Sequence, residues 1–246
     1  MVSKKILTED DLLIHYMQNY IERKDRFFPK VHTISTLPIS PDIDLLLINK
    51  ESELVVGREF KLLKYREGWK RVNYNPMYSG IGEALLYFQY GIDKCYLVLG
   101  LAEMPSNWID TTLEKIDQAI ENFNILTKLF TNWSKQLHEC RTKKNEKPIV
   151  RWFLERHGLG DSEEWRWGFG CFGIMVWNER DGLKVKKNAD QHFPVSRNPD
   201  LKHKKECLLR EEFKYKKSFL DKVVGNPKQR EEYTKEVRLK PKYTLE

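Results

Sequence analysis

Pro41-Asp42-Ile43-Asp44-Leu45-Leu46-Leu47 and, a few residues on, Val55-Val56-Gly57-Arg58-Glu59-Phe60-Lys61 decide how this chain is read. Both runs are short and apolar, and the polar stretch Asn49-Lys50-Glu51-Ser52-Glu53 separates them. That pattern predicts two strands, Ile43–Ile48 and Leu54–Leu63, paired as an antiparallel hairpin. Strand side chains alternate between faces, so Asp42 and Asp44 share a face, as do Glu59 and Lys61. Pairing then gathers carboxylates and one ammonium at a single spot. Carboxylates brought that close repel unless a cation lies between them. Magnesium suits such a place, because it takes one or two carboxylates together with waters and a phosphate. A lysine beside it can orient or deprotonate the attacking water. This is a layout for hydrolysing a phosphodiester.

Working outward, Leu12, Leu13, Tyr16, Met17, Tyr20 and Ile21 form a stripe of helical period over Glu9–Lys24, with Thr8 or Asp10 as its cap. Val31–Leu37 reads as a short strand. On the far side of the hairpin, Arg66, Lys70 and Arg71 alternate with Tyr65, Trp69 and Tyr74. Basic groups interleaved with aromatics just past a phosphate-cutting site suit backbone contacts and base stacking. Residues 77–90 predict a helix closed by Gly91. Lys94–Leu101 is continuously apolar, as in a strand covered on both faces, and is expected parallel to Leu54–Leu63. A long stripe from Leu113 to Leu137 predicts a helix of about 40 Å over 110–137. Trp165–Trp177 and Gly182–Val185 read as a second hairpin that extends or flanks the sheet. A partly buried helix is expected within His203–Lys222, and the last twenty residues read as extended or disordered.

The 246 residues suffice for one good core, and the charged fraction of 32% is high. No apolar run approaches the roughly 20 residues of a membrane helix. No secretory leader precedes the acidic Glu9-Asp10. The four cysteines are at least thirty residues apart, without a C-x-x-C pair, which argues against a zinc ribbon and for free thiols in a reducing cytoplasm. The net charge of +7 is uneven. Residues 1–180 carry 25 basic and 25 acidic groups, whereas residues 181–246 carry 18 against 11. A basic segment attached to a neutral body favours a polyanionic partner, with Lys204, Lys205, Lys216 and Lys217 as candidate contacts. A merely solvated face explains the same charges. The chain contains no G-x-S-x-G elbow, Walker A sequence or H-E-x-x-H.

The two opening runs resemble the PD-(D/E)xK nuclease superfamily, which includes restriction endonucleases and Holliday-junction resolvases. The likeness covers roughly residues 10 to 100, and more loosely continues to about 180. It implies an α/β, restriction-endonuclease-like core: a mixed central β-sheet flanked by helices over residues 1–195, with a basic C-terminal extension over 196–246. It also implies an Mg2+- or Mn2+-dependent hydrolase of DNA, with RNA as a second candidate substrate and a homodimer allowed. Asp44 and Glu59 would hold the metal, helped by the Phe60 backbone carbonyl, and Lys61 would position the water. Asp42 competes with Asp44, because the two share a face. By the same resemblance, an acid on the first helix (Glu22) and a polar side chain on the next (Glu83) are accessory candidates. Each also has a plainer reading, Glu22 as a surface glutamate and Glu83 as a first-turn acid favoured by the helix dipole. A non-catalytic nucleic-acid-binding or interaction module on the same fold is the rival reading. Removing residues 201–246 is expected to weaken binding and flatten its salt dependence.

Overall fold

The computed structural model describes residues 6–21, 26–32, 42–142, 167–189, 192–196 and 201–223. It shows an α/β architecture in which a mixed sheet carries helices on both faces. Strands β1 (Arg26–His32), β2 (Ile43–Asn49) and β3 (Leu54–Arg66) pair antiparallel. After the two-residue β4 (Arg71–Val72) and helix α2 (Asn75–Leu86), the chain returns as β5 (Lys94–Ala102), parallel to β3. Helix α3 (Ser106–Thr142) leads on to β6 (Trp167–Asn178), parallel to β5, and β6 turns back into β7 (Gly182–Lys187). The resulting order is β7-β6-β5-β3-β2-β1-β9, where β9 is Lys214–Tyr215. In addition, β4 pairs with β3, and β8 (His192–Ser196) pairs with β6.

Alternation along the strands builds two cores. Leu45, Leu47, Phe60, Leu62 and Val98 face α1 (Glu9–Asn19) and bury Leu12, Leu13, Tyr16 and Met17. Leu46, Ile48, Leu63, Leu97 and Leu99 face the other way, under Met77, Ala84 and Tyr87 of the α2 segment and Ile109, Ile116 and Ile120 of α3. The α1 cap is Thr8. Its hydroxyl accepts from Asp11 N at 3.1 Å, and Thr8 N donates back to Asp11 at 3.1 Å.

The hairpin, the parallel return through α2 and the β6–β7 hairpin match what the pattern predicts. Other elements differ. Of the strand expected over Val31–Leu37, Val31 and His32 form the end of β1, which begins at Arg26, and residues 33–41 are outside the described residues. Helix α1 ends at Asn19, short of the expected Lys24, and Glu22 lies outside the described residues. Residues 87–90 tighten from α to a 3-10 turn before Gly91, whose φ of 78° supplies the left-handed cap.

In place of one helix over His203–Lys222 there are two short ones, α4 (Leu201–Leu209) and α5 (Ser218–Val223), with β9 between them. β9 pairs with Val31 and His32 of β1. Leu208 is fully buried on one side of the sheet, and Phe219 is buried on the other. This stretch is therefore packed into the body of the protein. Among the described residues, no helix is long and apolar enough to cross a membrane.

Candidate metal and phosphate site

The β2–β3 ladder runs from Asn49↔Leu54 to Leu45↔Arg58. One step further, where Asp44 meets Glu59, side chains take over the backbone's hydrogen bonds. Phe60 N donates to Asp44 Oδ2 at 2.9 Å, and Asp44 N donates to the Tyr87 hydroxyl at 3.2 Å. Tyr87 OH in turn contacts Glu59 Oε2 and lies 3.1 Å from the Asp42 carbonyl oxygen. Asp44, Glu59 and Lys61 all belong to the face covered by α2. Asp44 and Glu59 are buried, at 7% and 2% exposure. Lys61 Nζ lies 2.7 Å from Glu59 Oε1 and 3.0 Å from Glu83 Oε2.

The expected trio therefore converges, and Glu83 joins it. Glu83 lies in the third turn of α2, so the helix dipole does not account for its position, whereas the bond to Lys61 does. Asp42 separates from Asp44. Its carboxylate is exposed and meets His32 Nδ1 at 3.2 Å.

Three participants were not apparent from the pattern. Tyr87 bridges the two halves. Lys30 Nζ is 2.5 Å from Asp44 Oδ1 and 3.3 Å from Asp10 Oδ1. Asp10, with Glu9 beside it near the start of α1, brings a first-helix acid to Lys30, while Glu22 lies outside the described residues. A glycine completes the setting. A Cβ at Gly80 would fall 2.7 Å from Lys61 Cγ and 2.7 Å from Leu97 Cδ1, so α2 lies directly on the lysine stem.

Burial and then the charge of Asp44 push the Glu59 carboxyl up to about 8, and Glu83 adds to this, against the opposing pull of Lys61 and Tyr87. For Lys61, burial disfavours the ammonium, but Glu59, Glu83 and Glu9 outweigh it and hold the pKa above its ordinary value. Burial, Glu59 and Asp44 likewise keep the Tyr87 phenol protonated. Folded Glu59 thus holds its proton more tightly than the unfolded chain does between its ordinary 4.5 and about 8. Stability from this group is present below that window and is lost as pH rises through it. Glu59→Gln cannot ionise. In EDTA, its melting temperature relative to wild type should climb by on the order of 5 °C between about pH 5 and about pH 8. A difference that stayed flat with pH would contradict this.

Crowded buried carboxylates of this kind fit a hard cation. Among the described residues, no group of three or more His, Cys, Asp or Glu side chains stands ready to hold one. Magnesium, however, ordinarily needs only one or two carboxylates, with waters completing its shell. Asp44 and Glu59, opposite one another on β2 and β3, are two such carboxylates.

Beyond the site, β3 continues to Arg66, roughly 17 Å from Lys61 at strand spacing. There the Trp69 ring, 63% exposed, has Arg71 at 4.3 Å and Arg66 at 5.9 Å, while Lys70 turns the chain with a φ of 44°. Lys216 and Lys217 are exposed, and Lys216 N donates to the Pro29 carbonyl at 3.1 Å, next to Lys30. Lys204 and Lys205 are elsewhere. Lys205 pairs with Asp93 at 2.9 Å, beside the start of β3, where Asp93 also accepts from Val55 N.

Comparison with protein-family models, with curated proteins and with solved structures finds no match to this chain.

Proposed function

We propose that the protein is a divalent-metal-dependent nuclease on a restriction-endonuclease-like core, hydrolysing DNA phosphodiester bonds. One observation carries this reading. Asp44, fifteen residues before Glu59, meets Glu59 and Lys61 on one face of the sheet, with both carboxyl groups buried and Lys61 bonded to Glu59. Two buried carboxylates and an ammonium are costly to hold together, and a scaffold gains little from them. A site that binds a cation and a phosphate uses all three.

In this reading Asp44, Glu59 and the Phe60 carbonyl hold Mg2+ or Mn2+, which when bound supplies Lewis-acid activation at the scissile phosphate. Lys61, steadied by Glu83, places the water and offsets charge that develops on the phosphoryl oxygens. Tyr87 keeps Glu59 and the β2 backbone in register. Arg66, Lys70 and Arg71, with Trp69 among them, contact the nucleic-acid strand away from the cut. Lys216 and Lys217 lie at the edge of β1 and add positive charge on that side.

The test is nicking of supercoiled plasmid by the purified full chain in Mg2+ or Mn2+, against EDTA, with matched DNA and RNA oligonucleotides alongside. Metal-dependent nicking is expected. A folded protein that binds DNA yet cuts neither polymer in either metal would instead support the binding-module reading.

A further inference from the structure

Lys30 stands between the register pairs Pro29↔Leu45 and Val31↔Ile43, directly across from Asp44. Its φ is 47°, in the left-handed region that side-chain-bearing residues avoid, and strands seldom include it. Such a conformation persists where surrounding contacts demand it, and these often belong to function. The contacts here are specific. The ammonium of the largely buried Lys30 side chain is shared between the buried Asp44 and the exposed Asp10.

Lys61 repeats the arrangement, between the buried inner Glu59 and the outer Glu83, whose side chain is 38% exposed. Each buried carboxylate thus has a lysine that also touches a more exposed acid.

We propose that Lys30 is the built-in counter-ion of Asp44, occupying Oδ1 in the metal-free protein and passing to Asp10 when a divalent cation takes that oxygen. This inference rests on the metal-dependent reading above. The second Asp44 oxygen already accepts from Phe60 N, so an incoming cation competes with Lys30 for Oδ1. Two positive charges do not share one carboxylate oxygen at contact distance without strong repulsion. Asp10 gives the displaced ammonium a partner within reach, so no partly buried charge is left alone. Lys30 therefore lowers affinity for the metal, and Asp10 restores part of it.

The experiment is Mn2+ binding to the purified full chain in metal-free buffer, read as free Mn2+ by electron paramagnetic resonance. It compares wild type, Lys30→Met, Asp10→Asn and the double variant, with Lys30→Gln as a second neutral replacement. Melting curves in EDTA establish that each variant is folded. Lys30→Met should bind about tenfold more tightly or better, and Asp10→Asn severalfold more weakly. The double variant should match Lys30→Met, because Asp10 acts only through the lysine. If wild type binds Mn2+ but neither Lys30 variant binds more tightly, or if Asp10→Asn weakens binding equally without the lysine, the counter-ion role is wrong while the metal site stands. If wild type takes up no Mn2+, the metal-dependent reading itself falls.

Discussion

Lys61→Ala is expected to lower the cleavage rate by about a hundredfold to a thousandfold or more, with nucleic-acid binding in EDTA nearly unchanged. The lysine is 14% exposed and held between Glu59 and Glu83, so its ammonium is oriented before any substrate arrives. A preoriented charge contributes most where charge develops during reaction and least to ground-state binding. Removing it should therefore appear in single-turnover cleavage at saturating protein, and not in the binding curve. Undiminished cutting by the alanine variant would remove Lys61 from the chemistry.

Deleting residues 201–246 is expected to unfold the protein rather than simply to weaken its grip on nucleic acid. Leu208 and Phe219 fill opposite cores, and β9 caps the β1 edge. Losing a buried side chain of that size costs about 2–5 kcal/mol, against a total stability of about 5–15 kcal/mol for a typical domain. The charge contribution needs a gentler probe. Lys214, Lys216 and Lys217 changed together to Gln should keep the melting temperature close to wild type. The slope of log affinity against log salt should fall by about 2 to 3 if all three meet phosphates. A truncated chain that melted like the full one would contradict the packing argument. An unchanged salt slope in the triple variant would place nucleic acid elsewhere.

The hairpin and the parallel return were legible because they depend on local signals: alternation, a polar turn, and a buried apolar run after a helix. Parity puts Glu59 with Lys61 and Asp42 with Asp44, but it does not choose between the two aspartates; the structure does, by turning the Asp42 carboxylate to His32. Lys30 was not legible. Its position depends on the register of β1, and that strand contains Pro29, a residue that argues against a central strand. Proline fits here because the partner on the outer side, β9, pairs only with Val31 and His32. Tyr87 was hidden for another reason. It lies off the Ile81, Ala84, Leu85, Phe88 stripe, and the tightening to a 3-10 turn after Leu86 sets its direction. Asp10 read as a candidate cap, whereas Thr8 takes that role and leaves Asp10 to Lys30.

Gly80 draws these threads to a point without any charge of its own. The α2 main chain rests against the aliphatic stem of Lys61, so the reach of that ammonium is set by how closely helix and sheet approach. A single added methyl there would work as a lever, shifting the ammonium without adding or removing any ionisable group. The placement of Lys61 thus depends on a position that carries no charge.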